Sequence, residues 1–127
     1  MDKTLSAQMT ALGQDAKTAA AQLALAPDAQ KNQALIAAAK AIRAAEADII
    51  AANALDMKAG AEKGLSPAML DRLQLTPDRI DAMAKGLEDI ASFPDPIGKD
   101  LGAWDRPNGL QIQRVSVPLG VIGVIYE

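Results

Sequence analysis

The stretch RVSVPLGVIGVIYE, Arg114 to Glu127, decides how this chain is read, because it is the most strand-like segment in a sequence otherwise rich in helix signals. From Leu119 the apolar residues run without alternation, and an unbroken apolar strand belongs where both faces are covered, as in a parallel sheet flanked by helices. Just upstream, Leu110 and Ile112 alternate with Gln111 and Gln113 as on a half-buried strand. The phase then flips to Val115 and Val117, which points to a bulge or a strand change near Arg114. Asn108-Gly109 is the strongest hairpin signal in the chain.

Working back from that hairpin, Phe93-Pro-Asp-Pro96 ends a helical pattern. The connection after it holds the only tryptophan, Trp104, expected to anchor a loop. Thr76-Pro-Asp78 and Ser66-Pro67 each supply a capping hydroxyl followed by proline at the first helical position. The helix begun at Thr76 is expected to reach about Ser92, with Ile80, Met83, Leu87 and Ile90 inward. A single long helix is expected over about 29–63, begun by a cap at Asp28 and stopped at Gly64, with Leu35, Ala39, Ile42, Ile49, Asn53 and Met57 near one face. Arg43 and Glu46, three residues apart, can pair on its exposed side. Before Pro27, a first helix carries Leu5, Met9, Leu12, Ala16 and Leu23 in steps of three and four.

Composition narrows the chemistry. With 127 residues the chain suits one domain, yet aromatics are only 2% and alanine supplies much of the apolar content, so the core rests on scattered Leu, Ile and Met. The net charge of −3, with no basic run, argues against a nucleic-acid surface. No apolar run approaches the roughly 20 residues that span a bilayer, and the first residues lack a signal-peptide core, so a cytoplasmic protein is expected. The chain has neither His nor Cys. It therefore offers no imidazole base, no thiol nucleophile and no zinc cluster, and no metal site or catalytic residue is assigned within it.

The remaining candidates divide between structural and functional readings. Gly120 and Gly123 lie inside a strand pattern without the spacing of a phosphate loop, so close approach of a neighbouring chain accounts for them better. The carboxylates Asp71, Asp78, Asp81, Glu88 and Asp89 sit near caps or on polar helix faces. Asn53 reads as a helix-interior polar group bonded to nearby backbone. Tyr126 and Glu127 stand at the carboxyl end of the last strand, where ligands collect in open α/β sheets.

Four motifs in order carry a family resemblance: Asn53-Ala-Leu-Asp56, Leu65-Ser-Pro67, Leu75-Thr-Pro-Asp-Arg-Ile80 and Pro118-Leu-Gly-Val-Ile-Gly123. From about Ile36 onward the chain resembles the amino-terminal part of gamma-glutamyl phosphate reductases. The resemblance implies an α/β, aldehyde-dehydrogenase-like fold with a Rossmann-type cofactor domain, of which residues 1–109 would supply the helical part and connection. Residues 110–127 would supply a hairpin strand and the first core strand. It also implies NADPH-dependent reduction of L-glutamyl 5-phosphate to glutamate 5-semialdehyde in proline biosynthesis. A thiolate would displace phosphate to give a thioester, which hydride transfer then resolves.

The family continues past the point where this sequence stops, typically through Ala-Arg-Pro-Asn. The catalytic cysteine and oligomerisation segment are accordingly expected outside residues 1–127, with the fragment inactive alone and the full protein a homo-oligomer. Only Ile125, Tyr126 and Glu127 would inherit the family's first cofactor-contacting segment. Two other readings compete: a freestanding helical interaction module, and a related aldehyde dehydrogenase that oxidises a free aldehyde.

Overall fold

A computed structural model describes residues 3–125. Five helices precede a two-stranded sheet: α1 (Lys3–Leu23), α2 (Asp28–Ala44), α3 (Glu46–Glu62), α4 (Pro67–Leu73), α5 (Pro77–Ala91), β1 (Asp100–Asp105) and β2 (Gln111–Val115). The chain divides into two compact units, one formed by Ala29–Phe93 and the other by the segments on either side of it.

In the central unit, the span read as one helix is two. Ala45 interrupts it with φ −92 and ψ 6 and no side-chain cap. No glycine or proline marks the break, and the amide of Ile49 still donates to the Ala45 carbonyl at 2.9 Å. The charges around it do favour a division: Arg43 lies in the last turn of α2, and Glu46 and Asp48 in the first turn of α3, each matching the dipole of its own helix end. The end of α3 follows the sequence reading. Gly64 takes φ +74, its amide bonds back to Ala61 and that of Leu65 to Gly60, closing the last carbonyls in a Schellman turn.

Both capping hydroxyls act as read. Ser66 accepts from the Met69 amide at 3.4 Å and Thr76 from the Arg79 amide at 3.2 Å, each with proline in the first turn. The inward face of α5 is rotated from the expected one. Ile80 and Ala84 are fully buried, while Met83 and Ile90 are about half exposed. Alanine thus supplies two of the three fully buried apolar residues among the described ones, Ala84 and Ala39, with Ile80 the third.

Gly60 shows the same economy of space. A methyl group added there would meet Leu65 at 3.0 Å, Leu73 at 3.2 Å and Leu70 at 3.3 Å, so the bare backbone of α3 lets α4 pack close.

In the other unit, α1 forms as expected, but Leu5, Met9 and Leu12 on its stripe stay exposed. β1 and β2 pair antiparallel, and the segment read as a loop around Trp104 is the first strand, with Trp104 opposite Ile112. The irregularity foreseen near Arg114 falls on the opposite strand. Between Asp100 and Gly102 one extra residue, Leu101, is accommodated across from Val115 and Arg114, and the Asp100 carboxylate accepts from the Gly102 amide at 2.8 Å. At the other end, Arg106 and Leu110 close a three-residue loop by a 2.8 Å bond, with the Gly109 amide on the Arg106 carbonyl and Gly109 at φ +83.

Ser116 ties the base of the hairpin. It exchanges backbone bonds with Gly98 and Lys99, and its hydroxyl accepts from the Lys99 amide at 3.0 Å and donates to the Pro96 carbonyl. Beyond it, residues 117–125 carry neither helix nor strand. Leu119 is 90% and Ile125 99% exposed. A strand needs a neighbour for its amides and carbonyls, and none of the described residues pairs with this run.

Candidate functional site

Of the three residues expected near a cofactor, Ile125 is described and stands almost fully in solvent, while Tyr126 and Glu127 lie outside the described residues. Ile125 gives a nicotinamide cofactor neither an enclosing wall nor a polar side chain, so the described residues do not by themselves form such a site. Gly120, at φ +92, has open space where a side chain would stand, as does Gly123. Trp104 is 47% exposed on β1. Among the described residues no group of three or more acidic side chains is arranged to hold a metal ion. None of the helices among them is long and apolar enough to cross a membrane.

The polar side chains that the fold does bring together are structural. Arg43 on α2 reaches α5: its Nε donates to Asp81 at 2.7 Å and its two terminal nitrogens hold both oxygens of Glu88. This fork replaces the Arg43–Glu46 pair expected from sequence. Asp81 and Glu88 are seven residues apart, so they share one face of α5, and a planar guanidinium spans them better than a local partner could. The hydrogen bond from Arg43 holds the Glu88 carboxyl below its usual range, and the same carboxylates raise Arg43. The groups are solvent-exposed, so the fork fixes orientation more than it adds stability.

Asn53 is 7% exposed and bonds further away than its own helix. Its Nδ2 donates to the Leu73 carbonyl at 2.9 Å and its Oδ1 accepts from the Leu75 amide at 2.8 Å. One amide group thus satisfies a carbonyl and an N–H left over where α4 ends and α5 has not begun. Arg79 caps the same corner from the other side, donating to the Asp71 and Gln74 carbonyls and pairing with the Asp71 carboxylate at 2.9 Å. In the hairpin, Asp100 accepts from the Gln113 side chain at 2.9 Å, which with the Gly102 amide lowers its pKa. The sequence reading missed the long reach of Asn53 and Arg43. The one available signal was the seven-residue spacing of Asp81 and Glu88 facing a lone arginine.

No family profile matches the chain. Individual relatives do. A gamma-glutamyl phosphate reductase of Paramagnetospirillum magneticum is 63% identical over 123 residues, covering 97% of this chain and 29% of its own length. Another, of Syntrophomonas wolfei, is 50% identical over the whole chain and 30% of the relative. The chain belongs to the gamma-glutamyl phosphate reductase family. Among solved structures, the family's member from Thermotoga maritima superposes with a TM-score of 0.78 at 33% identity over 83% of this chain and 25% of that one. The member from Saccharomyces cerevisiae gives 0.77 at 29% identity, over 83% of this chain and 27% of the other.

The chain therefore spans less than a third of the length of the relatives it matches. Its fold class is that of the family's α/β enzymes, of which the helices and the hairpin are the portion described above.

Proposed function

We propose that this chain is the amino-terminal portion of an enzyme that reduces L-glutamyl 5-phosphate with NADPH to L-glutamate 5-semialdehyde and phosphate in proline biosynthesis. The observation that carries the reading is the 63% identity to a relative of that name across 97% of the chain. The contribution of residues 1–127 is a scaffold. They contain no cysteine or histidine, so the thiolate that forms the acyl intermediate comes from sequence beyond them, and they are inactive alone. Ile125, Tyr126 and Glu127 lead into the cofactor site, which further strands complete. The 1–109 and 110–127 segments belong to one cofactor domain, and the whole enzyme is a cytoplasmic homo-oligomer.

The exposed apolar run from Leu119 to Ile125 supports this over a freestanding helical module, because it presents unpaired backbone and apolar side chains that a self-contained domain would cover. The test is the reverse reaction, glutamate 5-semialdehyde with NADP, assayed with and without inorganic phosphate. The product of the complete gene is expected to form NADPH only when phosphate is present, and residues 1–127 alone to form none. Phosphate-independent oxidation would replace this reading with that of a general aldehyde dehydrogenase. Turnover by residues 1–127 would overturn the placement of the nucleophile.

A further inference from the structure

The hairpin tip carries a chemistry that the enzyme's reaction does not use. Asn108 precedes Gly109 at the exposed end of the β1–β2 loop, and the space beside the Gly109 α-carbon is open. Glycine carries no side chain to shield its backbone nitrogen from the Asn108 side-chain amide, and no residue other than its chain neighbours crowds that side of the turn. That amide carbonyl is also polarised, since its Oδ1 accepts the Leu110 N–H at 3.2 Å. We propose that Asn108 is a site of spontaneous deamidation that converts the hairpin tip to aspartate and isoaspartate. The Gly109 nitrogen gives its proton to a solvent base and bonds to the Asn108 Cγ. The Cγ–Nδ2 bond breaks, and Nδ2 leaves as ammonia after taking a proton from water. Water then opens the cyclic imide at either carbonyl, so no oxidant or reductant is needed.

One contact opposes the step: the Gly109 amide is engaged with the Arg106 carbonyl at 2.9 Å. A hydrogen bond of about 1 kcal/mol shifts the loop's opening by about a factor of five, so the closed turn slows attack by about fivefold relative to an open loop. The other two asparagines are held more firmly. Asn53 is buried, bonded at both ends of its amide and followed by Ala54, and Asn32 lies within α2 and is followed by Gln33. Each becomes reactive only when helical structure opens, whereas a hairpin tip opens locally. The isoaspartate product adds a methylene to the main chain, adds a negative charge beside Arg106, and removes the amide that orders Leu110.

The experiment ages the purified protein at mildly alkaline pH and maps it with trypsin. The bond between Arg106 and Pro107 resists cleavage, so Asn108 appears in the peptide 100–114, which holds no other asparagine. The mass shift of amide-to-acid conversion, with isoaspartate detected by enzymatic methyl labelling, is expected there faster than at Asn32 and Asn53, by about tenfold or more. Conversion of Asn108 no faster than at those two sites overturns the proposal. So does persistence of the shift in peptide 100–114 of the N108Q variant, which would place the modification at Gln111 or Gln113.

Discussion

Replacing Asn53 by alanine removes one side-chain amide and leaves two backbone groups unmatched, the Leu73 carbonyl and the Leu75 N–H, now bonded at 2.9 and 2.8 Å. An unsatisfied buried polar group costs about 1–3 kcal/mol. Leu73 and Leu75 are half-buried, so water partly replaces the lost partner and the low end applies, about 1 kcal/mol each. The small hole left in the α3 face adds to this, while the better helix propensity of alanine returns about 0.5 kcal/mol. The expected net loss is about 2 kcal/mol, a large share of the 5–15 kcal/mol typical of a folded protein. In urea unfolding followed by the helical circular dichroism band, with a slope of about 1–1.5 kcal/mol/M, the midpoint should fall by about 1.3–2 M. Amide exchange at Leu75 should accelerate in parallel. Asn53→Asp separates the two bonds, because it keeps the acceptor for Leu75 and turns the donor toward Leu73 into a repelling oxygen. A loss of less than about 0.5 kcal/mol in N53A, or an aspartate variant as stable as the wild type, would refute the account of Asn53 as the clasp of this corner.

Two glycine substitutions test the packing of the helices. Gly86→Ala in α5, where an added methyl group meets nothing within 4 Å, should stabilise by about 0.5–1 kcal/mol through helix propensity. Gly60→Ala should show no such gain, because its methyl group presses on three leucines at 3.0–3.3 Å; equal rises in melting temperature would discount the close approach of α3 and α4. The Arg43 fork predicts a pH dependence. Glu88 is held below its ordinary value of 4.5 in the folded state, so its contribution is fully present above that value and is lost as the pH falls through the lower folded one. The stability difference between wild type and Arg43→Ala should therefore shrink on acidification below about pH 4.5 and shrink with added salt; a difference that is flat in pH would remove the fork's electrostatic role.

What the sequence makes legible here is whatever depends on neighbours in the chain. The caps at Ser66 and Thr76, the Schellman end at Gly64 and the turn at Asn108-Gly109 are local devices, and each occurs where its residues predict. What it hides depends on distant partners. Trp104 reads as loop because Gly102 and Pro107 flank it, yet pairing with Ile112 makes it strand. The break at Ala45 carries no breaker residue, only opposed charges on either side. The burial of Ala84 beside a half-exposed Met83 depends on how α5 is rotated against its neighbours, which periodicity does not encode. The same limit applies to the candidate site: Ile125 can be numbered from the sequence, but its surroundings depend on distant partners, and among the described residues it stands in solvent.

Asn53 and Gly60 stand seven residues apart, two helical turns, on the face that α3 turns toward α4 and the corner beyond it. That face works through an amide and an absence, where a designer would instinctively place leucines. Random mutation toward greater hydrophobicity, which strengthens most helix contacts, would damage this one at both positions. The consequence is a helix constrained at two points only: Ala54, Leu55, Asp56, Lys58 and Ala59 between them are exposed, so substitutions there leave the contact with α4 and its corner intact, whereas any larger apolar side chain at Asn53 or Gly60 breaks it.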